Sequence, residues 1–135
     1  MKWIENRSPL TRWILVPIVF IASWFLVHAF IVVASWGLSL FWGRDAETNL
    51  WFYKEIIASG LSAYCAAMFS GWTAPKFKFA TTCVFSAIYL LTSAVFIYVL
   101  IAMPGVLESD AIWRTLSLSF GAMTAIWHAK KKFLE

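Results

Sequence analysis

His28 is the one ionisable side chain in the middle of a long apolar stretch of this sequence. An imidazole titrates near neutral pH, so a histidine placed there could relay a proton, gate a pore or contact a ligand. The alternative is a neutral imidazole that hydrogen-bonds to a hydroxyl or carbonyl group of a neighbouring helix. The second histidine, His128, is expected to differ from His28 by about 20 Å in depth within the membrane, at a rise of about 1.5 Å per helical residue. The two histidines of one chain are therefore not expected to hold the same haem iron.

A hydroxyl stripe in the third apolar segment is the second polar pattern. At about 100° per residue, its four members fall within about 60° of one another on a helix. Such a stripe could line a hydrated path, and together with His28 it could form a pore in an oligomer. The other interpretation is packing, because hydroxyls in membrane helices often bond to a carbonyl one turn back or to a neighbouring helix. The stripe consists of Thr82, Ser86, Tyr89 and Ser93.

Small residues occupy one half of the second apolar segment and recur in the fourth. Small side chains that share a helix face let two backbones approach closely in lipid. We therefore predict two helix-packing faces, which act within a monomer or between protomers. The face on the second segment comprises Ala58, Ser59, Ser62, Ala63, Ala66, Ala67 and Ser70, and that on the fourth comprises Ser117, Gly121 and Ala125.

No pattern typical of catalysis is visible. The sequence has no Ser/His/Asp order, metal-spaced ligand cluster or glycine-rich phosphate loop, so we expect no enzyme activity, no metal and no cofactor.

Cys65 and Cys83 are expected to act as small hydrophobic residues. Asp110 and Arg114 lie one helical turn apart and are expected to pair. The acidic residues are expected to form a solvated rim, which consists of Asp45, Glu47, Glu55, Glu108 and Asp110.

The elements that carry these residues follow from the composition. Of 135 residues, 61% are hydrophobic and only 13% are charged, whereas a soluble domain carries about 25% charged residues. Because a small fold cannot bury so much apolar surface, the sequence predicts that a bilayer is its solvent. Four segments come near or exceed the roughly 20 apolar residues that a spanning helix needs. They cover residues 10–42, 51–72, 79–103 and 110–130.

The breaks between these segments are short, which predicts antiparallel neighbours. The expected fold is an all-α integral membrane protein, an up-down-up-down bundle of four transmembrane helices. Residues 1–135 would form this single domain, with no soluble domain. Ser8 and Pro9 suit the N-cap and first position of the first helix, and Pro104-Gly105 should end the third.

Basic residues predict the orientation, since lysine and arginine accumulate beside the cytoplasmic ends of spans. Eight basic residues lie on the side predicted to be cytoplasmic: Lys2, Arg7, Arg12, Lys76, Lys78, Lys130, Lys131 and Lys132. Three lie on the opposite side: Arg44, Lys54 and Arg114. Tryptophans are typical of both membrane boundaries. They mark the inner boundary at Trp13, Trp72 and Trp127, and the outer one at Trp42, Trp51 and Trp113. Both termini are therefore predicted to be cytoplasmic, in a bacterial inner membrane.

The basic inner side also suggests what the chain contacts. Lys130, Lys131 and Lys132 would attract anionic lipid headgroups or an acidic cytoplasmic partner. The net charge of +4 averages a basic inner side and an acidic outer side, so nucleic-acid binding is not expected.

Two functions remain open at this stage. The first is a non-catalytic membrane protein that assembles through its small-residue faces, as a homo-oligomer or as a subunit of a larger membrane complex. The second is an oligomeric pore or conduit for small solutes or ions, including a toxin-immunity or defence-type component, that uses His28 and the hydroxyl stripe. No motif selects a family, a substrate or a partner.

Overall fold

The computed structural model of the chain describes residues 5–42, 51–106 and 110–134. It contains α1 (Pro9–Trp42), a π-helix (Phe52–Ile57) that continues directly into α2 (Ala58–Thr73), α3 (Lys78–Ala102) and α4 (Ala111–Phe133). The described residues include no strand, so the predicted all-α class is confirmed. Compared with the prediction, α3 begins and ends one residue earlier, and α4 continues to Phe133.

Local chemistry explains several helix ends. The hydroxyl oxygen of Ser8 accepts the backbone N–H of Thr11 at 3.3 Å, which confirms the predicted N-cap of α1. After α3, Gly105 adopts a φ of 93°, a conformation that glycine reaches without strain. Phe77, just before α3, also has a positive φ, 54°, which a residue with a Cβ adopts only at some cost.

α2 is the central helix of the bundle. It packs along α1, α3 and α4, and α3 also packs along α4. Arg12 of α1 donates hydrogen bonds to the carbonyl oxygens of Thr73 at 3.1 Å and Ala74 at 3.0 Å, so the start of α1 meets the end of α2. The π-helix and the start of α4 lie at the opposite end, hereafter the Glu55 end. The end at which α2 and α4 finish is the Lys132 end.

Small and hydroxyl-bearing side chains fill the interior. The largest fully buried side chains among the described residues are Thr73, Thr82, Ser59, Ser62, Ser70, Ser86 and Ser93. Large apolar side chains such as Phe30, Phe41 and Ile101 lie outside, with 74%, 86% and 77% of their surface exposed. A water-soluble protein buries its large apolar residues. Small interior residues that bring helices together are typical of bundles in lipid.

α1 and α3 are long and apolar enough to cross a membrane, over Pro9–Phe41 and Lys78–Ala102. Only 11% and 17% of the residues in their apolar windows are buried inside the chain. Neither helix is therefore the enclosed core helix of a soluble fold. The other two crossings and the orientation remain predictions.

Candidate functional site

A polar pocket lies at the Glu55 end, where α1, the π-helix, α2 and α4 meet. Its volume is about 330 Å³. It combines aromatic rings from α1 with charged and hydroxyl groups from the other helices. The lining residues, hereafter the His28 pocket, are Trp24, Phe25, His28, Lys54, Glu55, Ser59 and Arg114.

Glu55 is the buried acid of this pocket. Its carboxylate oxygen Oε2 accepts hydrogen bonds from Arg114 Nε at 2.6 Å and Nη2 at 2.5 Å. The Glu55 side chain is 9% exposed, whereas that of Arg114 is 52% exposed. The arginine therefore connects a buried carboxylate to the surface of the bundle. A buried carboxylate needs such a partner, because an unpaired charge in an apolar interior is costly.

Two sequence predictions about these charges are wrong. Glu55 is not part of a solvated rim, because it faces the inside of the bundle. Arg114 does not pair with Asp110 one turn away but with Glu55 on the neighbouring helix. Asp110 instead accepts a hydrogen bond from the indole nitrogen of Trp51 at 3.2 Å. The close approach of α4 to the start of α2 makes both contacts possible, and helical spacing alone does not report it.

The π-helix sets the position of two of the three pocket residues from the second segment, Lys54 and Glu55. Its wider turn is visible where the backbone N–H of Ala58 bonds to the carbonyl of Tyr53, five residues earlier. Glu55 is its one buried residue, while Lys54 lines the same pocket from a more exposed position. Short π-helical turns occur frequently at functional sites. Here the turn brings a buried acid and an exposed base to one cavity.

His28 lies on the aromatic wall of the pocket. Its ring stacks on Trp24 with 5.8 Å between centroids, and Trp24 stacks on Tyr89 of α3 at 5.3 Å. Counted from Arg12 at about 1.5 Å per residue, His28 is about 24 Å along α1. It is therefore level with the beginning of α2, close to the Glu55 end. Within α1 it lies near the middle of the helix, as predicted from sequence, and its depth in a membrane stays a prediction.

Two residues that line the pocket each carry a buried polar atom without a hydrogen-bond partner among the described residues. The two atoms are Nδ1 of His28 and the hydroxyl oxygen of Ser59. Buried polar groups in native proteins almost always have a partner. The walls of this cavity therefore hold two polar groups that the described residues leave without a partner.

The charge of the pocket favours one kind of ligand. Among the described residues, Lys54 and Arg114 contribute two positive charges and Glu55 one negative charge, which leaves +1 when His28 is neutral. Lysine, arginine and serine side chains all have hydrogen-bond donors, as does imidazole. The pocket therefore suits a small ligand that is anionic and rich in acceptors.

The predicted small-residue faces are largely buried inside one chain. All seven members of the face on α2 are buried, as are Gly121 and Ala125 on α4, while Ser117 is half-buried. The hydroxyl of Ser117 donates to the carbonyl of Ile56. A Cβ at Gly121 would overlap the carbonyl oxygen of Gly60. The α4 face therefore contacts α2 at Gly60 and Ile56, which are not members of the predicted α2 face. Ala67 and Ala125, which are members of the two faces, share one buried cluster.

The hydroxyl stripe of α3 also faces the interior. Thr82 donates to the Lys78 carbonyl on its own helix at 3.0 Å, and Ser93 donates to Thr115 on α4 at 3.4 Å. Tyr89 packs against Trp24 and Phe20. The hydroxyl of Ser86 is buried without a partner among the described residues. Two of the four hydroxyls thus make the bonds expected of packing, while a pore remains a prediction.

The remaining polar residues lie apart from the His28 pocket. Lys130, Lys131 and Lys132 are exposed at the Lys132 end. His128 forms a hydrogen bond with Tyr64 there. Within the described ranges, no three His, Cys, Asp or Glu side chains are grouped to hold a metal ion. The side chain of Trp42 and several charged residues lie outside what the structure describes: Lys2, Arg44, Asp45, Glu47, Glu108 and Glu135.

The chain matches no protein-family model, no curated protein and no solved structure.

Proposed function

We propose that this protein is a non-catalytic integral membrane protein of a bacterial inner membrane, and that it binds a small anionic solute in the His28 pocket. The chain would cross the bilayer four times, with the start of α1 and the end of α4 on the cytoplasmic side. The observation that supports this most is the positive charge that the described residues give to a cavity whose walls also hold two polar atoms without a described partner.

The distribution of charge supports the orientation. Arg12 lies at the Lys132 end, where it bonds to the end of α2, and Lys76, Lys78 and Lys132 line one cavity there. Cationic residues beside one set of helix ends are typical of the cytoplasmic side. From Trp51 to Trp72 the second helix is about 30 Å long, which matches the hydrocarbon thickness of a bilayer. In this orientation the His28 pocket faces the outer side.

The length of α1 is consistent with the same placement. Its 34 residues make a helix about 51 Å long, well above the roughly 30 Å of hydrocarbon. About 21 Å of that length follows His28. Tilt or protrusion of α1 at the outer side absorbs the excess.

An anion panel tests the binding proposal. Purified protein in neutral detergent is heated in gluconate buffer with increasing acetate, chloride or phosphate at constant ionic strength. We expect at least one of these anions to raise the Tm saturably, by an amount equivalent to about 1.4 kcal/mol at tenfold the Kd. Lys54→Gln should weaken this effect, because it removes a positive charge from the pocket without removing the partner of Glu55.

Lys130→Gln is the matched control, since it removes the same charge from an exposed position at the Lys132 end. It should respond to the anion as the unmodified protein does. If no anion in the panel raises the Tm, or if both variants respond alike, the His28 pocket is not an anion site.

Assembly with a second membrane protein, or with further copies, is a second candidate function. The small-residue faces are occupied within one chain, so an assembly would use another surface. We expect α1 to provide that surface, because only 11% of the residues in its apolar window are buried inside the chain. Chemical cross-linking in the native membrane followed by mass determination tests this function. A product no larger than the 15.4 kDa chain would contradict it.

A further inference from the structure

A second cavity, at the Lys132 end, lies far from the His28 pocket. It has a volume of about 470 Å³ and is formed by the turn between α2 and α3 together with the last residues of α4. Three lysines and three phenylalanines line it. This cavity, hereafter the lysine pocket, includes Lys76, Phe77, Lys78, Phe79, Lys132 and Phe133.

The three lysines give the lysine pocket a charge of +3, and no acidic side chain lines it among the described residues. Like charges that share one cavity repel each other, and an anion placed between them relieves that repulsion. Lys132 is also held in place, since its Nζ lies 5.1 Å from the centroid of the Trp72 ring. A cation over a tryptophan face is attracted to it. The cavity therefore presents a partly ordered cationic site.

The rim of the lysine pocket is apolar, in contrast to its cationic interior. Phe77 is 75% exposed and Leu134 is 62% exposed. The turn that presents Phe77 holds this residue in the left-handed conformation, at a φ of 54°. Backbone strain of this kind is often found at ligand-binding sites. Apolar side chains beside a cationic cavity suit a ligand that has both an anionic group and hydrocarbon.

We propose that the lysine pocket binds the phosphate headgroup of an anionic phospholipid, with Lys76, Lys78 and Lys132 around the phosphate and the exposed rim against the acyl chains. The inference rests on the proposed membrane insertion, which places the Lys132 end at the inner leaflet. Free phosphate shares the anionic group but lacks the hydrocarbon that the rim would contact. This proposal is more specific than a general attraction of the basic tail to the membrane, because it distinguishes Lys132 from its neighbours.

Two double variants with equal loss of charge test the proposal. Lys78→Gln/Lys132→Gln removes two charges from the lysine pocket, while Lys130→Gln/Lys131→Gln removes two from the same end outside it. Purified protein in neutral detergent micelles is titrated with phosphatidylglycerol, and with phosphatidylcholine of the same acyl chains. Bound lipid is counted by native mass spectrometry, and inorganic phosphate is added as a competitor in a separate arm.

We expect the pocket variant to bind phosphatidylglycerol about tenfold more weakly, and the control variant to bind it within about twofold of the unmodified protein. Lys78→Arg/Lys132→Arg should retain binding, which separates loss of charge from loss of fold. Equal weakening in the two glutamine variants would overturn the proposal in favour of diffuse attraction. Equal binding of both lipids, or displacement of phosphatidylglycerol by equimolar phosphate, would overturn it as well. The assay uses micelles, so its failure would leave the proposed crossings and the anion site untouched.

Discussion

Gly121→Leu is expected to lower the free energy of unfolding by about 3 kcal/mol. The Cα of Gly121 faces the backbone of Gly60 on α2, and a Cβ there would overlap the carbonyl oxygen of Gly60. A backbone atom cannot move aside as a flexible side chain can, so α4 must separate from α2. The Ser117–Ile56 hydrogen bond, one turn away, should weaken at the same time. Denaturation by SDS in mixed micelles, followed by tryptophan fluorescence, measures the change.

Gly37→Leu is the control for this prediction. Gly37 lies on α1, and a Cβ built there has no atom within 4 Å, so leucine should be accommodated and, through its higher helix propensity, should raise stability by up to about 1 kcal/mol. Similar losses in the two variants would mean that the added leucine side chain itself, and not the contact of α4 with α2, determines the effect. An unchanged stability of Gly121→Leu would contradict the close contact itself.

Arg114→Gln is expected to destabilise the protein by about 2 kcal/mol, because it leaves the carboxylate of Glu55 buried without its ion-pair partner. Loss of one partner of a fully buried pair costs about 3–5 kcal/mol. The lower figure applies here because Arg114 is half exposed, so water partly screens the pair. The same mixed-micelle denaturation measures the loss.

The double variant Glu55→Gln/Arg114→Gln tests whether the ion pair is the cause. Since it removes both charges together, it should be more stable than Arg114→Gln alone. Asp110→Asn serves as a further control, because the amide oxygen of asparagine can still accept the hydrogen bond from Trp51. It should change stability by less than about 0.5 kcal/mol. A double variant no more stable than Arg114→Gln would contradict the account of this pair.

The helices could be predicted from sequence because their signals are local. Apolar run length, Ser8 before Pro9, and the Pro104-Gly105 stop all act within a few residues. The small faces on α2 and α4 were also predictable, since a face depends only on spacing within one helix. Which helix each face contacts depends on tertiary structure. The pairing of Gly60 with Gly121 therefore emerged only from the fold.

The charged residues of the His28 pocket show a second limit of prediction from sequence. Arg114 has an acid one turn before it, and local spacing favours that partner. The actual partner, Glu55, comes from another helix. One signal for its burial was nevertheless present: Glu55 lies four and seven residues before Ser59 and Ser62, so a helix places it on the face that the small residues occupy. The π-helix itself has no comparable signature in the sequence.

The four proposed crossings underlie both ligand proposals, and cysteine labelling in intact cells tests them most directly. Single cysteines replace Lys76 between α2 and α3, Val106 after α3, and Lys131 near the end of α4, in a Cys65→Ala/Cys83→Ala background. A membrane-impermeant maleimide is applied before or after permeabilisation of the inner membrane. We predict that position 106 reacts in intact cells and that positions 76 and 131 react only after permeabilisation. Reaction of position 76 or 131 in intact cells, or protection of position 106, would contradict the proposed membrane topology.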